Sequence, residues 1–201
     1  RLATTCANGF VQPLMDRYIG RLLRELDALG FAGTLRLMQS DGGLCAPEVA
    51  RTFPIRLLES GPAGGAVATV LFAREAGLPD AIAFDMGGTT AKSCLIENGR
   101  AAVVPMMETA RVRRFKRGSG LPIKAPVVDM IEIGAGGGSI AGLDETGLLK
   151  VGPHSAGASP GPACYGQGGE DATVTDANLL LGYYDPGFFL GGSMTLDKPA
   201  A

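Results

Sequence analysis

Between residues 81 and 105, three apolar runs are joined by two tight glycine-containing turns, and this arrangement limits the possible folds more than any other feature. Residues 81–85 and 91–97 read as strands, and Asn98-Gly99 supplies the positive-φ pair that a two-residue hairpin turn requires. Residues 101–105 return as a third strand. The first connection, Phe84-Asp85-Met86-Gly87-Gly88-Thr89-Thr90, passes from strand to strand with no room for a helix. Upstream, residues 55–59 read as a strand, Ser60-Gly61-Pro62-Ala63-Gly64-Gly65 as a loop, and residues 66–76 as a helix ending at Gly77. Strand, helix, strand and hairpin in that order predict an α/β fold, a mixed sheet with an antiparallel hairpin and flanking helices.

Elsewhere the periodicity changes. Apolar residues recur every three or four positions over residues 11–29, an amphipathic helix with Asn8 as N-cap, Pro13 in its first turns and Gly30 as terminator. A short strand over 34–39 closes on Asp41-Gly42-Gly43. Residues 127–133 read as a strand, 134–139 as a glycine loop, and short strands follow around Ile140 and over 148–151. Residues 153–169 form a long irregular stretch, of the kind that in a compact domain more often carries function than not. Residues 175–181 make a short helix capped by Thr173 or Thr175. A chain of 201 residues predicts one domain with its own core.

The chemistry concentrates in the first glycine turn. A carboxylate at a strand end can hold a hydrated divalent cation, two glycines let backbone N–H groups approach phosphate oxygens, and threonine hydroxyls add donors. The Walker pattern G-x-x-x-x-G-K-[ST] is absent, so this would be a strand-turn-strand cradle; the competing reading is a plain glycine hairpin with an Asx turn. Residues 134–139 could set successive amides around an anion or close a connection with no ligand. Residues 60–65 could offer a helix N-terminus to an anion or let helix and sheet pack closely. Cys164 with His154 suggests a thiol nucleophile pair, against the commoner outcome of a buried small cysteine. Asp176 reads as a first-turn helix acid rather than a general base. Arg111, Arg113, Arg114, Lys116 and Arg117 read as a solvated loop, or as a contact for an anionic ligand or partner.

A formal net charge of −2 gives no electrostatic basis for binding nucleic acid or a membrane surface. The four cysteines, Cys6, Cys45, Cys94 and Cys164, form no C-x-x-C pair and have one histidine among them, which speaks against structural zinc and against a disulfide framework. With no signal peptide and no bilayer-length apolar run, a cytoplasmic location is predicted.

Four segments occur in order: residues 60–65; Phe84-Asp85-Met86-Gly87-Gly88-Thr89-Thr90; Ile133-Gly134-Ala135-Gly136-Gly137-Gly138-Ser139-Ile140-Ala141; and the Pro/Gly-rich run over residues 151–166. Together they resemble the central domain of hydantoinase A/oxoprolinase proteins, and the resemblance runs from Thr4-Thr5 to Gly191-Gly192. It implies a ribonuclease-H-like half of an ATPase in the actin, sugar kinase and Hsp70 superfamily. In that scheme Asp85 holds Mg²⁺ and serves catalysis, Gly87, Gly88, Thr89, Thr90 and Lys92 attend the phosphates of ATP, and Gly136, Gly137, Gly138 and Ser139 lie near the reacting oxyanion. Many relatives carry a second aspartate where this chain reads Thr90-Ala91-Lys92. Lys92 would then replace a carboxylate's role, mark a variant subgroup, or contact phosphate.

The first phosphate loop, expected on an N-terminal half, is not in these residues. A chain opening on Arg1 therefore reads as the central piece of a longer protein, binding nucleotide weakly alone. The implied activity is ATP-dependent opening of cyclic amides or imides, such as hydantoins and 5-oxoproline, by carbonyl phosphorylation, with a second, B-type subunit and an oligomeric assembly. The related alternatives are a ketone carboxylase subunit and a non-catalytic actin-like module.

Overall fold

The computed structural model describes residues 1–109 and 118–201, so the basic residues at 111–117 lie outside the described residues. Along the chain run α1 (Leu2–Ala28), β1 (Leu37–Met38), β2 (Leu44–Cys45), α2 (Pro47–Thr52), a 3₁₀ turn (Pro54–Leu57), α3 (Ser60–Glu75), β3 (Ala81–Met86) and β4 (Ala91–Glu97). Short strands follow: β5 (Arg100–Ala101), β6 (Val103–Val104), β7 (Met107–Thr109), β8 (Leu121–Ile123), β9 (Val127–Val128) and β10 (Ile131–Ile133). The hairpin β11 (Ser139–Leu143) with β12 (Leu149–Ser155) precedes α4 (Val174–Leu180). The chain divides into two compact units, Arg1–Ala83 with Cys94–Met130, and Phe84–Ser93 with Ile131–Ala201.

In the first unit α1 starts nine residues earlier than the amphipathic pattern predicts, at Leu2 instead of 11, and Asn8 sits inside it, not at its cap. The tertiary structure explains that placement: Asn8 Nδ2 donates to Thr52 O at 3.1 Å and its Oδ1 accepts from Ile55 N at 3.2 Å. Across the helix Ile19 is fully buried with Cys45 and Ala50, and Met15 and Leu23, one turn to either side, pack against them.

Two further expectations are corrected here. Residues 55–59 are not a strand, because Pro54, with its fixed φ and no N–H, opens a 3₁₀ turn instead. Nor do residues 60–65 form a loop ahead of a helix: α3 begins at Ser60 and takes them as its first turns. The small side chains that looked like loop composition let the helix lie close on its neighbours, with Ala63 and Ala66 buried against Ala83, Cys94, Ile96 and Val128.

β4 lies between β3 and β10, and its far end pairs with β5 through a turn in which Asn98 and Gly99 both have positive φ, as read from the sequence. Among the described residues every strand pair with a recorded register is antiparallel, so small antiparallel sheets stand where a mixed sheet was expected. The links between hydrogen-bonded neighbours are mostly short, and parallel neighbours would need crossovers of a dozen residues or more. The strand predicted over 127–133 is split, Val127–Val128 pairing with β6 and Ile131–Ile133 with β4.

The second unit is closed by α4. Thr173 is its N-cap in a full capping box with Asp176, as the sequence allowed. Cys164, Leu179 and Leu196 form its buried core, with Tyr165, Tyr184 and Phe189 packed around them. Among the described residues no helix is long and apolar enough to cross a membrane.

Candidate functional site

Asp85, Gly87, Gly88, Thr89, Thr90, Lys92, Gly136, Gly137, Gly138 and Ser139 all fall in the second unit, whereas residues 60–65 belong to the first. β3 ends at Met86, and the Gly87 N–H donates to Thr90 O at 2.9 Å, which leaves Gly88-Thr89 as a two-residue turn. Counting the antiparallel ladder back from that bond sets Met86 opposite Ala91 and Asp85 opposite Lys92. Lys92 is in turn opposite Glu132 of β10. Cross-strand partners share a face, so Asp85, Lys92 and Glu132 make a charged row, acid, base, acid, across three strands. Asp85, Gly87, Gly88 and Thr89 are exposed, and Thr90 and Lys92 are half-buried.

A two-residue turn would ordinarily be closed by a second bond to the Gly87 carbonyl. That carbonyl instead accepts from Gly137 N at 2.9 Å, and the Gly88 carbonyl accepts from Gly138 N at 2.8 Å. Two further amides of the second glycine loop are also engaged inside the protein, Gly136 N with Ser139 Oγ at 2.9 Å and Ser139 N with Gly136 O at 3.0 Å. Ser139 is buried, its hydroxyl turned to the loop it belongs to. Thus Gly136, Gly137, Gly138 and Ser139 are brought beside the first loop, with their N–H groups facing protein and not an anion. The Gly87 amide is likewise committed to Thr90.

What remains outward is specific. Among the described residues the amides of Gly88 and Thr89, the Thr89 and Thr90 hydroxyls and the Asp85 carboxylate have no hydrogen-bonding partner, and all stand at one end of the β3–β4 hairpin. No group of three His, Cys, Asp or Glu side chains that could hold a metal occurs among the described residues. A single exposed carboxylate still suits a phosphate-bound Mg²⁺, which keeps several waters and takes one or two carboxylates.

The approach of the two loops requires glycine at position 136. A Cβ on Gly136 would stand 2.5 Å from Gly87 O and 2.6 Å from Thr89 N, closer than real Cβ contacts come.

The hydantoinase/oxoprolinase family pattern matches residues 1–201, the whole chain. The chain belongs to the hydantoinase/oxoprolinase family. It is 42% identical over 201 residues to caprolactamase subunit alpha of Pseudomonas jessenii, covering all of this chain and 28% of that protein. The crystal structure of the ATP-dependent caprolactamase from the same organism matches with a TM-score of 0.72 and 41% identity, over 98% of this chain and 27% of that one. A nucleotide-free acetone carboxylase matches with a TM-score of 0.70 at 28% identity, over 90% of this chain and 24% of that one. The 5-oxoprolinase 1 of Arabidopsis thaliana is 40% identical over 189 residues, 92% of this chain and 14% of that protein. The chain thus spans about a quarter of the length of the caprolactamase subunit.

Within this hydantoinase/oxoprolinase chain the thiol-nucleophile reading meets an obstacle. Cys164 is fully buried, and burial together with the neighbouring Asp176 pushes its thiol up to about 12. His154 is exposed on β12. Asp176 is no general base either: its Oδ1 accepts from Cys164 N at 2.8 Å and its Oδ2 from Thr173 N and Oγ1 at 2.9 and 2.7 Å. Thr175, read from the sequence only as an alternative cap for α4, has another role: its N–H and Oγ1 both donate to Gly137 O, at 2.8 and 2.9 Å.

Iodoacetamide at neutral pH is therefore expected to label Cys6, the exposed cysteine, and to leave Cys45, Cys94 and Cys164 unmodified until the protein is unfolded. Burial raises the thiol of each of these three. Peptide mapping by mass spectrometry reads the result, and rapid native labelling of Cys164 would contradict its burial.

Proposed function

We propose that the protein is part of an ATP-dependent hydrolase that opens cyclic amides or imides, with the β3–β4 turn as the loop that receives the phosphates of ATP. The observation that carries this is the group of donors at one hairpin end that have no partner among the described residues, Gly88 N–H, Thr89 N–H and two threonine hydroxyls, beside the exposed Asp85 carboxylate. The family and its ATP-dependent relatives support it.

An amide carbonyl is a poor electrophile. When its oxygen takes the γ-phosphoryl group and ADP departs, water can add to the carbon and the ring nitrogen leaves, as an amine from a cyclic amide or as an amide or ureide from an imide or hydantoin. The acyl phosphate so formed hydrolyses to carboxylate and inorganic phosphate. Positioning and charge stabilisation supply most of the help such transfers need. The Gly88 and Thr89 amides and the Thr89 and Thr90 hydroxyls would bind phosphate oxygens. Asp85 would hold the hydrated Mg²⁺ that offsets phosphate charge. Lys92, opposite Asp85, would add a positive charge on the same face. Gly87, Gly136, Gly137, Gly138 and Ser139 would act as support.

In this proposal the 201 residues form one half of a ribonuclease-H-like ATPase in a longer cytoplasmic protein, with the first phosphate loop elsewhere in it and a second subunit as partner. Replacing Asp85 with Asn in the full-length protein is expected to lower phosphate release from ATP at least tenfold. An unchanged rate would remove the reading. The match to acetone carboxylase favours ketone carboxylation as the second reading. Supplying hydantoin and 5-oxoproline in one arm and acetone with bicarbonate in the other separates the two by which one accelerates phosphate release.

A further inference from the structure

We propose that Thr175 is a positioning residue that aims the two amides of the candidate phosphate loop. The proposal rests on the phosphate-binding reading above and names what holds that site in shape.

The argument follows from the planarity of the peptide unit. In a trans peptide the carbonyl of one residue and the N–H of the next lie in one plane and point in opposite directions, so fixing one aims the other. Thr175 clamps the Gly137 carbonyl with two donors, its own N–H at 2.8 Å and its hydroxyl at 2.9 Å. That fixes the plane carrying the Gly138 N–H, which donates to the Gly88 carbonyl at 2.8 Å. The Gly88 carbonyl shares its plane with the Thr89 N–H, which is thereby turned away from the second loop. In parallel, the Gly137 N–H holds the Gly87 carbonyl at 2.9 Å and so turns the Gly88 N–H outward. Both outward amides are thus oriented by the loop that Thr175 holds.

Thr175 is itself fixed. It is buried in the first turn of α4, between Thr173 and Asp176 of the capping box, and Asp176 also ties that turn to Cys164 N. Contact with Gly137 is close enough that a Cβ there would stand 2.8 Å from Thr175 Oγ1, while its next neighbour, Gly87 O, is at 3.8 Å.

The test uses the full-length protein with ATP as the probe, measuring KM and kcat for phosphate release and the melting temperature of each variant. Thr175→Ala removes the hydroxyl bond and keeps the backbone one. It is expected to raise the KM for ATP about 3- to 10-fold, the scale of one lost hydrogen bond, and Thr175→Ser is expected to restore it. Gly137→Ala should impair the wild-type background, yet add nothing to Thr175→Ala, since the atom it strikes is gone. A wild-type KM in Thr175→Ala, with Asp85→Asn defective, overturns the proposal and leaves the phosphate-loop reading standing. So does a Thr175→Ser protein as impaired as Thr175→Ala, or a Thr175→Ala protein that melts lower with its KM unchanged. Full activity in Asp85→Asn removes both readings together.

Discussion

A single methyl group added at Gly136 is expected to lower ATP turnover by about two orders of magnitude. The added Cβ would meet Gly87 O at 2.5 Å, Thr89 N at 2.6 Å and Gly88 C at 2.7 Å, all backbone atoms of the candidate phosphate loop. None is the end of a flexible side chain, so relief requires the two loops to part by about 1 Å, and displacements of that size can reduce rates about a hundredfold. The parting also stretches the bonds from Gly137 and Gly138 to the Gly87 and Gly88 carbonyls, so a loss of about 1–3 kcal/mol in stability should accompany it, as for other overpacked sites. Gly142→Ala is the matched control, since a Cβ there meets nothing within 4 Å. Phosphate release and urea unfolding, measured on both variants, check the expectation. If Gly136→Ala behaves like Gly142→Ala, the close packing of the two loops does not govern the site.

That dependence was only half legible in the sequence. The β3–β4–β5 run could be read because its information is local: strand patterns, a glycine turn and Asn98-Gly99 each specify their own geometry. The α4 cap could be read for the same reason, Thr173 and Asp176 having capping-box spacing. The second glycine loop could not, because a run of glycines suits both an anion nest and a close backbone approach. Only the acceptors, carbonyls far away in the chain, decide between them. Residues 60–65 went the same way: small residues that usually mark a loop form the start of a helix once Ala63 and Ala66 have a surface to lie on. Cys164 and His154 drew attention as a reactive pair through residue type alone, whereas burial decides the cysteine's chemistry. Thr175 could be read only as a possible cap, since its contact with a distant carbonyl leaves no local pattern.

Replacing Asp176 with Ala is expected to destabilise the second unit by about 3–5 kcal/mol, since each buried donor left without an acceptor costs about 1–3 kcal/mol. Asp176 is 2% exposed, and its carboxylate accepts from Cys164 N, Thr173 N and Thr173 Oγ1. Asp176→Asn keeps one oxygen and turns an amide donor toward groups that are themselves donors, so it should fall between Ala and wild type. The same bonds determine the response to acid. Burial pushes the Asp176 carboxyl up, but the hydrogen bonds from Thr173 and Cys164 outweigh it and hold it below its ordinary value. Folding therefore favours the charged form. Its contribution is complete above the unfolded value of about 3.9 and is lost as pH falls through the lower folded value. Three of the four tyrosines, Tyr165, Tyr183 and Tyr184, lie in the second unit and the chain has no tryptophan, so tyrosine fluorescence can follow unfolding there. Wild type should lose more stability than Asp176→Ala between pH 6 and pH 3; equal losses would show that the carboxylate is not held in its charged form. Because Thr175 stands on the turn that Asp176 secures, the folded fraction of Asp176→Ala should also show the raised KM for ATP expected of Thr175→Ala, which links the stability of the cap to the aim of the loop.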